Sequence, residues 1–153
     1  MAMVSSCSFR AANEADLPFL VALRVATMTP HFERQGIVPL DDEEHRRRAE
    51  YRLDAAAIVE CDGQSVGVIK VLHDGTTWTI EQFQIAPQHQ GRRLGTTVLR
   101  AVIADARASG ALLRLSVLKQ NPAARLYARL GFRTLSETTN SYKMTFIDTV
   151  DDL

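Results

Sequence analysis

With 153 residues and a formal net charge of zero, the chain can bury one core but is too short for two ordinary domains. Its positive charge is mostly arginine, with Lys70, Lys119 and Lys143 as the only lysines. There is thus no bulk excess to release counterions from a polyanion, and a nucleic acid partner is disfavoured, though a local arginine pocket for one small anion is not. No apolar run lasts the roughly 20 positions that a bilayer demands, and no basic stretch followed by a long apolar one opens the chain, so a cytoplasmic protein without membrane contact is expected.

In chain order, Ser8 to Ala11 reads as a short strand. Asn13 then caps a helix carrying Leu17, Leu20, Val21 and Arg24 to Met28, with Asp16 completing a capping box. Pro30, Gly36 and Pro39 are expected to interrupt regular structure, which leaves His31, Phe32 and Arg34 in a loop. A second helix is expected from Asp41 to Leu53, acidic at its start and arginine-rich in its middle and last turns, as the helix dipole favours. Within it, His45-Arg46-Arg47-Arg48 reads as a solvated face of intrahelical ion pairs.

Ala56 to Glu60 and Ser65 to Val71 flank Asp62-Gly63 as a hairpin, and a turn at Asp74-Gly75 leads to a strand from Thr77 to Ile85. Leu94, Val98, Leu99, Val102, Ile103 and Ala106 have helical spacing that ends near Gly110. Leu113, Leu115 and Val117 alternate with polar residues as a strand. Asn121 caps the next helix, with Pro122 at its first position and Gly131 past its last. Phe132 to Ser136 and Tyr142 to Ile147 make two final strands. The segment from 148 to 153 is expected to be a flexible acidic tail.

Hairpins first and strand–helix alternation later point to an α/β (α+β) fold: one domain over 1–153 with a mixed, mostly antiparallel central sheet of six or seven strands and about four helices. Cys7 and Cys61 have no C-x-x-C or Cys/His spacing around them, so reduced thiols are expected rather than a disulfide framework or a zinc site.

Two segments carry chemistry. Gln90-Gly91-Arg92-Arg93-Leu94-Gly95 lies where a strand gives way to an amphipathic helix, so backbone N–H groups can converge on an anion with the helix dipole behind them. Thr96 and Thr97 add hydroxyls. The dinucleotide and nucleoside triphosphate fingerprints are both absent. In the second segment, NPAARLYARLGF from Asn121 to Phe132, Tyr127 lies over Ala123 and Ala124 on one helix face. It is either a buried aromatic or a phenol placed to donate a proton to a departing thiolate.

On these two motifs and its order of elements, the chain resembles the GNAT superfamily of acetyl-CoA-dependent N-acetyltransferases. Gln90 and Gly95 match the family's pyrophosphate-binding pattern, while Arg93 stands in place of its middle glycine and can reach phosphate with its own side chain. The resemblance implies acetyl-CoA as acyl donor, no metal, and a primary amine as acceptor. The implied cofactor contacts are Phe83, Gln84, Ile85, Gln90, Gly91, Arg92, Arg93, Leu94, Gly95, Thr96, Asn121, Ala124 and Tyr127. It implies Tyr127 as acid, and a strand Thr79 to Ile85 that splays from Leu112 to Leu118 to admit pantetheine.

Met28, His31, Phe32 and Tyr142 are the candidates for lining the acceptor side, with Trp78 and Tyr142 equally readable as core. Glu81 is the carboxylate nearest the expected reacting centre and the candidate base, with a water chain as the alternative. Strict alternation puts Glu81 in phase with Phe83 and Ile85, opposite Gln82 and Gln84, unless a bulge reverses it. The expected function is acetyl transfer to an amine by direct attack in a ternary complex, by a monomer or homodimer. The rival is a CoA-binding regulatory module of the same fold with little turnover.

Overall fold

The computed structural model describes residues 2–4, 7–38, 40–91 and 93–148. Its elements are β1 (Ala2–Val4), β2 (Cys7–Ala11), α1 (Leu17–Arg34), α2 (Asp42–Glu50), β3 (Ala56–Cys61), β4 (Gln64–Asp74), β5 (Thr77–Ile85), α3 (Leu94–Ala108), β6 (Leu112–Leu118), α4 (Ala123–Leu130), β7 (Phe132–Glu137) and β8 (Ser141–Phe146). The strands form one sheet in the order β1-β2-β3-β4-β5-β6-β8-β7. Seven of them have five or more residues, and the three-residue β1 adds an edge. Neighbours pair antiparallel except β5 with β6, the one parallel pair among the described residues.

Side-chain alternation gives the sheet two buried faces. On β3, Ile58 packs with Leu17, Leu20 and Leu23 of α1 and Ala49 of α2, whereas Val59 joins Val98, Leu99 and Val102 of α3 and Tyr127 of α4. Successive residues thus serve opposite helical layers. The predicted capping box is present: Asn13 Oδ1 accepts from Ala15 N–H at 2.9 Å and Asp16 Oδ2 from Asn13 N–H at 2.8 Å. It closes a 3-10 turn that leads into α1. Asn121 Oδ1 accepts from Ala123 N–H at 2.9 Å, and Gly131, at φ 114°, ends α4.

Three expectations are corrected. Pro30 does not end α1, which continues to Arg34. Proline removes one N–H, but burying Phe32 on the continued helix outweighs the lost bond, and the chain leaves the helix only at Gly36, at φ 71°. His31, Phe32 and Arg34 are therefore helical. His45 does not share the solvated face of its neighbours: it is 1% exposed.

The third correction concerns the cysteines, which form a disulfide. The β2–β3 register sets Cys7 directly opposite Cys61, with Cα atoms 4.0 Å apart, so residues 54 positions apart in sequence meet across one rung of the ladder. At the other end, Asp148 of the expected tail is tied to Arg107 Nε at 2.6 Å. The segment 149–153 lies outside the described residues.

Candidate active site

The parallel pairing of β5 with β6 runs from Thr77↔Leu112 to Ile80↔Leu115 and stops there. Beyond it, Glu81 to Ile85 and Ser116 to Leu118 have no ladder between them and line open space instead. This is the splay that the family resemblance implied.

Its local cause is visible in the neighbouring pair. On β4 and β5, Lys70 faces Gln82 while Val71 faces Ile80, so Glu81 is an extra residue bulged out of the ladder. The bulge breaks strict alternation. Gln82 and Gln84 are buried together on one side, linked by a 2.7 Å hydrogen bond from Gln82 Nε2 to Gln84 Oε1, and Glu81 stays exposed at the cavity wall.

Two cavities flank the gap. The smaller, about 450 Å³, runs along the end of β5, the turn after it and the first turn of α3, and reaches α4 at Pro122, Ala123, Leu126 and Arg129. Of the predicted cofactor contacts, Phe83, Gln84, Ile85, Gln90, Gly91, Arg93, Leu94, Gly95, Thr96 and Asn121 all line it. Arg92 lies outside the described residues. Ala124 lines neither cavity and packs on the core, its place at the rim taken by Ala123. Thr27, His89, Leu126 and Arg129 complete the wall and were not anticipated. Tertiary packing placed them there, and their spacing carried no signal.

This smaller cavity suits a phosphorylated ligand. Arg93 precedes α3 in the left-handed conformation at φ 60°, and no side chain caps the helix. The leading N–H groups therefore have no intrahelical partner, and the helix dipole adds positive potential. Gln90 Nε2 donates to Ile85 O at 2.9 Å, which fixes the turn to the end of β5. A Cβ added at Gly95 would stand 3.4 Å from Leu126 and 3.5 Å from the Phe83 ring, so the lack of a side chain keeps that wall close-fitting but open.

The larger cavity, about 520 Å³, is walled by α1, α2, β5 and β6 and by Tyr127. Glu81 and Tyr127 both line it. Tyr127 is 5% exposed and its ring meets Phe132 edge-on at 5.7 Å, and burial pushes its phenol above the ordinary tyrosine range. Met28, Phe83, Gln84 and Asn121 line both cavities and mark where they meet. Of the other acceptor candidates, Phe32 is buried and lines neither cavity, and the side chain of His31 lies outside the described residues. Tyr142 packs on the core under Lys119, whose Nζ is 5.4 Å from its ring centre. Trp78 stacks on His73 at 3.8 Å.

Sequence reasoning missed the charged lining of the larger cavity: Arg24, Glu44, Arg47, Arg48 and Lys70. Helical pairing does occur on α2, where Arg46 binds Glu50 at 2.8 Å, Arg48 binds Glu44 at 3.0 Å and Arg47 binds Glu44 as well. Arg47 and Arg48 nevertheless face the cavity as well. Lys70 is 1% exposed; its Nζ donates to the carbonyls of Arg48 at 3.2 Å and Ala49 at 3.4 Å and to that of Tyr51, closing the C-terminal end of α2. Burial brings its pKa down to about 8. Gln35, just past α1, donates to Asn140 O at 3.2 Å and accepts from Gln120 N–H at 3.0 Å, joining that helix to the last hairpin and to the loop before α4.

Among the described residues, no cluster of three or more His, Cys, Asp or Glu is placed to hold a metal, and no helix is long and apolar enough to cross a membrane. No curated protein matches the sequence significantly. Among solved structures, the fold is similar to that of the PaiA N-acetyltransferase of Thermoplasma acidophilum in complex with coenzyme A, with a TM-score of 0.77 and 17% identity over 94% of this chain and 99% of that one. It is also similar to the ribosomal-protein-S18-alanine N-acetyltransferase of Escherichia coli, with a TM-score of 0.70 and 18% identity over 92% of each chain. The N-acetylglutamate synthase of Neisseria gonorrhoeae, complexed with coenzyme A and L-arginine, matches with a TM-score of 0.69 and 22% identity over 94% of this chain and 33% of its own. The model of the acetyltransferase (GNAT) family matches residues 20–132, spanning the smaller cavity, the strand gap and all of the larger cavity's lining but Ser141, and the chain belongs to that family.

Proposed function

We propose that the chain transfers an acetyl group from acetyl-CoA to a primary amine by direct attack in a ternary complex, as a monomer or homodimer. The observation that carries this reading is the meeting of two cavities at Met28, Phe83, Gln84 and Asn121, where β5 parts from β6. One cavity offers a helix N-terminus for a diphosphate, and the other offers a carboxylate and a phenol beside the junction.

Acetyl-CoA supplies the activated acyl carbon. Glu81, directly or through water, takes a proton from the acceptor ammonium, because only the neutral amine has a lone pair to donate. A C–N bond forms as the C–S bond breaks. Tyr127 then gives its hydroxyl proton to the departing thiolate, and the second proton shed by the attacking nitrogen returns through water to the phenolate, so that the only proton released overall is the one taken by Glu81. Burial keeps that phenol protonated at neutral pH, and the same apolar surroundings make the thiolate more basic, so the proton moves as charge develops on sulfur. The backbone N–H groups at the start of α3, with Arg93, Gln90 and Thr96, hold the diphosphate, and Asn121 sits between donor and acceptor.

The test measures thiol release from acetyl-CoA across an amine panel, with calorimetry of CoA binding, for the parent and for Tyr127→Phe. The expected result is a fall in kcat of about 10²–10⁴-fold with CoA affinity held within about threefold. Equal losses in both would assign Tyr127 to packing. CoA binding without turnover of any amine would instead favour the regulatory module, a reading supported by Arg93 standing in the glycine position.

A further inference from the structure

The charges around the larger cavity do not balance. Arg24, Arg47, Arg48 and Lys70 face Glu44 and Glu81. Glu44 is taken up by Arg47 and Arg48 on its own helix. Lys70 is engaged by three backbone carbonyls at the end of α2. Glu81 sits on the bulge beside the junction of the two cavities, where the proposed reaction uses it. Arg24 is left over.

Arg24 as a whole is 6% exposed, and its Nε is buried without a hydrogen-bond partner among the described residues. No carboxylate of the described residues forms an ion pair with it. Burial, followed by the charge of Arg48, lowers its pKa to about 10, so it still carries its charge at neutral pH. His45, buried behind it with neither ring nitrogen hydrogen-bonded, is held neutral by burial and by Arg24 itself and offers no counter-charge. A guanidinium taken out of water without a partner is costly, and its fork of donors matches a carboxylate or a phosphate.

Resting on the acetyl transfer proposed above, we infer that the acceptor is a small amine bearing its own oxyanion group, a carboxylate or a phosphate, which Arg24 receives inside the larger cavity. Position supports this. Arg24 lies one helical turn, about 6 Å, before Met28, which lines the junction of the two cavities, so an anion held at Arg24 leaves a nearby amine facing the donor. A cavity of about 520 Å³ has the size of a small-molecule site. Its surplus of positive charge opposes diamines and polyamines, which would bring further cation to a wall already holding four.

The experiment compares kcat/KM, by thiol release from acetyl-CoA, across four matched sets. These are α-, β- and γ-amino acids, their carboxamides, aminoalkyl phosphates of equal length, and linear diamines. Each set is run with the parent protein, Arg24→Gln and Arg24→Lys, and CoA binding is followed by calorimetry in every variant. The expected result is at least a tenfold preference of the parent for one oxyanion set over the carboxamides. Arg24→Gln brings that ratio close to one, and Arg24→Lys retains part of it. The two oxyanion sets decide between carboxylate and phosphate.

Equal or better use of carboxamides or diamines by the parent overturns the inference while leaving acetyl transfer intact. A preference for acids that survives Arg24→Gln also overturns it. Absence of CoA binding in the folded parent overturns the acetyl-transfer reading itself. Retained CoA binding in Arg24→Gln shows that a lost ratio is not a lost fold.

Discussion

Lys70 shows how a single buried side chain makes stability depend on pH. Its pKa falls to about 8 in the fold from an ordinary 10.5. Below pH 8 it is charged in both the folded and unfolded states and contributes no slope. Above 8 the unfolded chain keeps a proton that the folded one releases, so stability rises with pH through that window. In the interval from 8 to 10 this effect leads, while Tyr127 and Arg24 enter only toward its upper end and with opposite signs. Near and above 10 the unfolded phenol of Tyr127 ionises while the folded one does not, which lowers stability, and the folded Arg24 loses its proton before the unfolded one does, which raises it. Urea unfolding of the parent should therefore gain about 1–2 kcal/mol between pH 8 and pH 10, and Lys70→Met should remove the gain. A flat parent profile would mean that the ammonium is better solvated than its burial indicates. Lys70 was hidden at the sequence level because it stands in an apolar strand whose helix partner is about twenty residues upstream. Arg24 was hidden for a similar reason: it reads as one polar position in an amphipathic helix until β5 and α2 close over it.

Strands β4 and β5 set the shape of the site by how closely they approach. A Cβ at Gly67 would come within 2.6 Å of the Gln84 carbonyl oxygen and 2.7 Å of Ile85 Cδ1, distances that side chains do not tolerate. Both neighbours line the smaller cavity. Gly67→Ala must push β5 outward, so it should destabilise the protein by about 1–3 kcal/mol and weaken CoA binding about tenfold, checked by thermal unfolding and calorimetry. A loss of stability with unchanged CoA binding would show that the displacement goes elsewhere. Most element boundaries were legible because hydrophobic period and caps agree: β5 at Thr77–Ile85, the capping box before α1, the Gly131 stop after α4. The bulge at Glu81 was not, since it depends on the register of β4 against β5. The passage of α1 through Pro30 was not either, because the burial that outweighs the lost N–H is tertiary.

For the whole molecule, the disulfide sets the scale. It spans 54 positions, and closing a loop of that length in the unfolded chain is worth up to about 4 kcal/mol in the chain-entropy model. Reduction, or Cys61→Ser, should lower unfolding free energy by about 2–4 kcal/mol in guanidinium titrations. Thiol release from acetyl-CoA at 25 °C should persist, because β2 and β3 lie on the far side of β4 from the gap. Loss of turnover on reduction of a still-folded protein would contradict that independence. The pairing was illegible from spacing alone, since two cysteines become neighbours only once a ladder register is known. The α/β class and the mostly antiparallel sheet were legible, because each hairpin and each strand–helix step is a local pattern.

Gln35 gives the molecule a mechanical property as well. One primary amide fastens the end of α1 to two segments 85 and 105 positions later in the chain. Any breathing that lifts α1, with Arg24 and Met28 aboard, must either rupture both bonds or drag the loop bearing Asn121 along with it. The acceptor wall and the donor wall are thus laced together on that side by two solvent-exposed hydrogen bonds from one side chain.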